Sequence, residues 1–226
     1  FLLALEKGAG QIEFDVRTTR DEKLVVIHDP TVDRTTNGRG AVSDLTFDEI
    51  RRLDAGSWKG EAFVGVQIPT LDEVLSLVGP GVEVNCQLYL APAYTGAVIR
   101  SILDHGLKEQ TFLACPAAHL HEARRLEPGL RVCSLEGQRG ADSDYPDLTI
   151  ALGAEYIQIC GWSEVLPEAV ARLHAHGVKV NFFGTEDPAL MRRLIEARVD
   201  YVLTDHLDVM HGVMGEYGIA PAGKRG

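Results

Sequence analysis

Glu13 and Asp15 stand two residues apart in an otherwise apolar run, Ile12-Glu13-Phe14-Asp15-Val16. If that run is a strand, both carboxylates leave one face and Ile12, Phe14 and Val16 leave the other. Two carboxylates this close on an inward face repel each other and lose hydration. A divalent cation relieves both problems, and a donor set made only of oxygen favours Mg2+ or Ca2+. The competing reading is an exposed strand face with two solvated acids. The strongly apolar opposite face, suited to packing under a helix, argues against it. His28-Asp29 ends a second extended run, and histidine's reference pKa near neutrality suits it to general acid or base work. Arg34 could grip a phosphate bidentately, or close a salt bridge within its own loop. Trp58 either packs inside its loop or lines a substrate entrance.

Other candidate residues carry less. His119 and His121 are two apart in a helical pattern, so they face different directions and do not chelate together. His174 and His176 fall at a helix end before Gly177, where capping by a cation is favourable. Ser57 and Ser134 have no partners that suggest a nucleophile triad.

The elements that must position these groups are read from hydrophobic periodicity. Strand-like runs occupy 12–16, 82–89, 111–115, 131–135, 156–160, 178–183 and 201–204. Helical three- and four-residue spacing separates the later runs, most clearly over 120–126, 165–174 and 188–197. Asp187-Pro188 marks a helix start, and Gly106 and Gly177 mark helix ends. Strands recurring every ~20–25 residues fit βαβ units and a parallel sheet. An α/β fold of the (β/α)8 barrel type is therefore expected, as one domain over 1–226. A doubly wound sheet competes, but no GxGxxG follows an early strand. Phe1–Lys7 reads as the interior of an amphipathic helix, so the barrel's first strand is expected upstream of Phe1. The polar turn at 18–23 is too short for a crossover, so 24–28 should return antiparallel as a hairpin. The stretch 29–70 then reads as an insertion at a strand's C-terminal end, the face where such barrels build sites. It looks mostly polar, without the apolar rim that docking on a membrane would need.

Of the 226 residues, 45% are hydrophobic and 24% charged, which suits a globular domain and excludes a disordered one. The formal net charge of −11 disfavours nucleic acid and anionic lipid as partners. An acidic chain acting on a phosphate ester needs a local positive centre, which a metal ion would supply. No apolar run is long enough to span a membrane. Cys86, Cys115, Cys133 and Cys160 show no CxxC spacing and read as free buried thiols in a reducing, cytoplasmic compartment. A secretion signal, were there one, would lie upstream of Phe1.

The ordered blocks between Ile12 and Leu75 resemble the glycerophosphodiester phosphodiesterase family. They are Ile12-Glu13-Phe14-Asp15-Val16, Thr18-Thr19-Arg20-Asp21, Leu24-Val25-Val26-Ile27-His28-Asp29 and Asp33-Arg34-Thr35-Thr36-Asn37-Gly38. Leu45-Thr46, Leu53-Asp54-Ala55-Gly56-Ser57-Trp58 and Ile68-Pro69-Thr70-Leu71-Asp72-Glu73-Val74-Leu75 continue the series. Similarity is thinner but collinear beyond, including Thr204-Asp205 after an apolar strand. The resemblance implies a barrel enzyme that hydrolyses glycerophosphodiesters to glycerol 3-phosphate and an alcohol. Its metal would be held by Glu13, Asp15 and a third acid on the next barrel strand. His28 would be one of two acid–base histidines, the other belonging to a His-Arg-Gly motif whose place is upstream of Phe1.

The sequence departs from that pattern at the site. In Val84-Asn85-Cys86-Gln87-Leu88-Tyr89, Gln87 takes the place of the family's glutamate and Tyr89 that of its lysine. An amide oxygen can ligate a hard cation without adding charge, so Gln87 reads as a weak third ligand. Tyr89 can hydrogen-bond a phosphate but brings no charge. Phe183-Gly184 replaces a Trp-Thr pair and alters the pocket wall. Two function classes remain: a metal-dependent hydrolase of a small phosphodiester, or a weakened or inactive relative acting as a phosphate-binding or structural module.

Overall fold

The computed structural model describes residues 1–221. Its strands are β1 (Gln11–Thr18), β2 (Leu24–Val26), β3 (Glu83–Leu88), β4 (Thr111–Cys115), β5 (Arg131–Ser134), β6 (Tyr156–Cys160), β7 (Lys179–Phe183) and β8 (Tyr201–Leu203). Helices α1 (Leu2–Glu6), α2 (Phe47–Arg51), α3 (Leu71–Leu75), α4 (Thr95–Asp104) and α5 (Ala117–Leu126) fall between or before them. So do α6 (Tyr145–Leu152), α7 (Leu166–Ala175) and α8 (Pro188–Glu196), and α9 (Leu207–Glu216) follows β8. The seven runs read as crossover strands are β1 and β3 to β8, and the expected hairpin arm is β2.

All eight strands form one sheet in the order β2-β1-β3-β4-β5-β6-β7-β8. A doubly wound sheet would reverse its order at a switch point. Apart from the hairpin arm β2, this one adds each strand beside the last, as the chain path of a (β/α)8 barrel does. From β4 to β8 every pairing is parallel. The Glu83 amide donates to Gly10 O at 2.9 Å, and the Tyr89 amide to Val16 O at 3.0 Å. Both chains advance six residues between those two bonds, so β1 and β3 also run parallel.

The chain divides into two compact units. The first holds Phe1–Glu13, Gly79–Asn85 and the residues from Lys108 onward. Its core is built as the periodicity predicts, with strand residues Ile157, Ile159, Val180 and Phe182 packed with helix residues Leu166, Val170, Leu173 and Leu194. Gly177 takes φ +74° just after α7, a left-handed turn that a residue with a Cβ adopts only with strain. Asp187 caps α8, its Oδ1 accepting from the Ala189 amide at 2.9 Å, with Pro188 behind it. Where β3, β5, β6 and β7 begin, Glu83 pairs with Arg131 at 3.2 Å and Lys179 at 3.7 Å and accepts from the Tyr156 hydroxyl at 3.1 Å. Phe112 stacks on the Tyr156 ring, centroids 3.9 Å apart.

The second unit holds Phe14–Val78 and Cys86–Leu107. Here β2 pairs antiparallel with β1 in the register Val16↔Val26, Arg17↔Val25 and Thr18↔Leu24. Thr19 builds the turn: its hydroxyl donates to Asp21 at 2.7 Å and accepts from the Lys23 amide at 3.0 Å, while Glu22 sits at φ +63°. Val25 of the hairpin packs with Ile27, Val32, Val42, Ile50 and Ile68 in a core of their own. Thr46 with Glu49, and Thr70 with Glu73, make reciprocal capping boxes that start α2 and α3. The insertion is thereby a folded part of this unit with its own apolar centre.

Among the described residues no disulfide forms: Cys86, Cys115 and Cys133 are buried thiols and Cys160 is a partly buried one. Burial pushes the Cys115 thiol up to about 12, so it is inert as a nucleophile.

Candidate active site

Three successive alternate positions on one face of β1 carry Glu13, Asp15 and Arg17, because strand side chains alternate. The hairpin brings His28 back beside them. The Ile27 amide donates to Asp15 O at 3.0 Å, so His28 lies one step past the level of Asp15. Arg17 fastens that end of the hairpin: its Nε and Nη2 donate to His28 O at 3.1 and 2.7 Å. Tyr89, just past β3, joins through its amide bond to Val16 and lays its ring against Arg17, with Cζ 4.8 Å from the ring centroid. Gln87 donates through Nε2 to the Tyr89 hydroxyl at 2.6 Å. Asp15, Arg17, His28, Gln87 and Tyr89 thus gather within the second unit.

His28 is held by its neighbour. Its Nδ1 lies 2.8 Å from Asp29 Oδ1, while the imidazole itself is 73% exposed. Asp29 in turn receives Arg34, Nε to Oδ2 at 2.6 Å and Nη2 to Oδ1 at 2.8 Å. Those hydrogen bonds, Arg34's first and His28's second, hold the Asp29 carboxyl well below the usual range. An ionised Asp29 accepts from Nδ1–H and leaves Nε2 as the atom that exchanges a proton. Of the two readings open for Arg34, the salt bridge within its loop is the one formed. Arg34 also lies 5.7 Å over the Trp58 ring, and Trp58 Nε1 donates to Ala55 O at 3.0 Å.

Asp15 is 6% exposed, and no hydrogen-bond donor acts on its carboxylate among the described residues. Burial raises its pKa, against the opposing charges of His28 and Arg17. A buried carboxylate without donors is costly unless a cation approaches it. Glu13 is half-buried and Gln87 buried. No cluster of three or more His, Cys, Asp and Glu side chains forms a metal centre among the described residues. The oxygen donors at hand are two carboxylates and an amide, which fit a hard dication with one ligand charge fewer than a three-carboxylate site. Phe183 closes β7 in the first unit and is half-buried, with Gly184 following at φ +88°.

The loop bearing Trp58 differs from the polar surface expected of 29–70. Asp54 is its hub: Oδ1 accepts from the Gly56 and Ser57 amides at 2.8 and 2.9 Å, and Oδ2 from the Ser57 hydroxyl at 2.6 Å and the Gly65 amide at 2.9 Å. The Ala55 amide closes the loop on Val66 O at 2.7 Å. At Gly56 a Cβ would lie 1.7 Å from Phe63 O, so the two sides touch with no room between them. Without an interior to enter, Trp58, Phe63, Val64 and Val66 stay at the surface.

Two residues escaped the sequence reading. Asp29 is His28's anchor, and its adjacency to His28 was the available signal. Arg17 continues the Glu13–Asp15 face by one more step of the same alternation.

Residues 1–98 match the model of the glycerophosphoryl diester phosphodiesterase family. A glycerophosphodiester phosphodiesterase of Caldanaerobacter subterraneus subsp. tengcongensis is 34% identical over 225 residues, covering 96% of this chain and 91% of that protein. One of Bacillus subtilis is 31% identical over 237 residues, covering 95% and 80%. The crystal structure of a glycerophosphodiester phosphodiesterase from Agrobacterium tumefaciens superposes with a TM-score of 0.78 at 29% identity, covering 92% of this chain and 89% of the other.

Proposed function

The chain belongs to the glycerophosphodiester phosphodiesterase family, and on that footing we propose that it hydrolyses glycerophosphodiesters to glycerol 3-phosphate and an alcohol in a reaction that depends on a divalent cation. The observation that carries the reading is the His28–Asp29–Arg34 relay set beside the buried, donor-less carboxylate of Asp15. His28 is one member of the acid–base pair. Asp29 fixes its tautomer and ring plane, and Nε2 moves a proton to or from the oxygen atoms of the reacting phosphodiester. Glu13, Asp15 and the amide oxygen of Gln87 would hold Mg2+ or Ca2+, which when bound supplies positive charge against the phosphoryl oxygens. Tyr89 and Arg34 line the approach to that point, with Trp58 on Arg34. The substrate is a small molecule. No helix among the described residues is long and apolar enough to cross a membrane.

The test is glycerol 3-phosphate release from a panel of glycerophosphodiesters at saturating Mg2+ or Ca2+. His28→Ala should lose ~10²–10⁴-fold in kcat, the usual share of one acid–base group. Unchanged turnover in that variant refutes the assignment. The neutral Gln87–Tyr89 pair favours a second reading, a phosphate-binding relative without turnover. Product binding by calorimetry, with no release from any member of the panel, would establish that one instead.

A further inference from the structure

We infer that Arg17 is the residue that binds the substrate's phosphoryl group electrostatically, with Tyr89 as the platform that holds its guanidinium in place. The inference deepens the proposed function and rests on it for the identity of the ligand, an organic phosphate. Near His28 stand two guanidiniums, and they are used differently. Arg34 commits Nε and Nη2 to the two oxygens of one carboxylate, so Asp29 already neutralises it. Arg17 faces no carboxylate within salt-bridge distance among the described residues. Its Nε and Nη2 share a single neutral acceptor, the His28 carbonyl oxygen. An arginine carries five N–H donors, so three remain, both on Nη1 and one on Nη2, with no partner among the described residues.

The placement is also specific. Arg17 shares the strand face of Glu13 and Asp15, is anchored to the main chain of His28, and lies over the Tyr89 ring at 4.8 Å. That ring is fixed at its far end by the Gln87 amide at 2.6 Å. Cation–π contact and the carbonyl clamp remove most of the side chain's freedom, so little ordering remains to be done when an anion arrives. Arg17 therefore joins the acid–base histidine, the carboxylate pair and the platform within one small patch, with a partly unspent fork that matches phosphate oxygens. It takes up the positive charge that Tyr89, in a lysine's place, does not bring.

The experiment measures binding and turnover separately. Titration calorimetry with glycerol 3-phosphate reads phosphate affinity without turnover, and steady-state release from a glycerophosphodiester reads kcat and KM. Arg17→Met should weaken product binding ~10- to 100-fold, the loss of a charge-assisted contact, and lower kcat/KM by a similar factor. Arg17→Lys should retain an intermediate affinity, because charge survives while the fork is lost. The decisive variant is Arg17→Met with Tyr89→Lys, which returns a cation to the same patch without the clamp on His28. Recovery of product affinity in that double variant supports a role in binding charge. If Arg17 only braces the hairpin, Arg17→Met lowers the thermal midpoint and the double variant recovers nothing, which overturns the inference. So does product affinity unchanged in Arg17→Met. Should the wild type bind glycerol 3-phosphate in an Arg17-dependent way yet turn over no diester, the hydrolytic reading fails and this one stands.

Discussion

Replacing Asp29 by asparagine isolates the orientation of His28 from everything else at the site. The substitution keeps shape and size, but an amide has one acceptor oxygen where the carboxylate has two. Asp29 now receives His28 Nδ1 at 2.8 Å and two Arg34 donors at 2.6 and 2.8 Å. The substituted amide could satisfy only one side, and its NH2 would confront a donor on the other. Either the imidazole turns, or it changes tautomer and puts its proton on Nε2. The stability cost is small because the partners are well solvated: His28 is 73% and Arg34 55% exposed, against 20% for Asp29. Exposed pairs of this kind contribute about 0–1 kcal/mol. The catalytic cost is larger. Acid–base catalysis contributes ~10²–10⁴-fold, and a misdirected base forfeits much of it, so kcat should fall about 100-fold, equivalent to about 2.7 kcal/mol at 1.36 kcal/mol per decade. The assay is glycerol 3-phosphate release at saturating substrate and Mg2+, with the thermal midpoint measured alongside. Because Asp29 stays ionised far below pH 3.8, no part of the wild-type rate profile above that pH comes from its titration. A kcat within about twofold of wild type would refute the orienting role, and with it the assignment of His28.

Gln87→Glu adds a third carboxylate to the donor set and should tighten Mg2+ or Ca2+ binding ~10- to 100-fold in a calorimetric titration, as ligand charge does in oxygen sites; no change would mean that Gln87 does not face the cation. Glu83→Gln leaves Arg131 and Lys179 without their shared carboxylate at the strand starts. It should cost roughly 1–3 kcal/mol in urea unfolding while kcat stays unchanged. Asp54→Asn should loosen the loop clamped by Gly56, Ser57 and Gly65, seen as a shift in Trp58 emission in a background with Trp162→Phe. Hydrogen bonds, the Ser57 hydroxyl's first, hold the Asp54 carboxyl well below its ordinary value of 3.8. A depressed folded value means the contribution is full above pH 3.8 and is lost only as pH falls further toward that lower value, so Trp58 emission should hold steady from about pH 8 to about pH 4.

The strands were legible because apolar runs alternate with helical spacing, and this regularity follows from the burial of both sheet faces. The hairpin was legible from chain length alone, since residues 18–23 cannot make a crossover. Loop surfaces were not. Composition over 29–70 averages Phe63, Val64 and Val66 with their polar neighbours, and only the closure of Ala55 on Val66 shows that those side chains have no interior to enter. The candidate site was half legible. Alternation gave Glu13 and Asp15, and the same rule carried one step further would have reached Arg17. What no spacing rule contains is the pairing of β1 with β3, which sets the Tyr89 ring on the Arg17 guanidinium.

That pairing bears on whether Gln87 and Tyr89 mark decay. Relative to the family pattern, one change removes a negative charge and the other removes a positive one, so together they leave the formal charge of the patch where it was. In this chain the two side chains meet directly, the Gln87 amide donating to the Tyr89 hydroxyl at 2.6 Å. The ring that arrives with Tyr89 then meets a guanidinium already fixed on the His28 carbonyl. The patch thus keeps one guanidinium, on β1, held by a carbonyl and a ring that is itself held by an amide, which is the order that anion binding needs and that a collapsed site would lack.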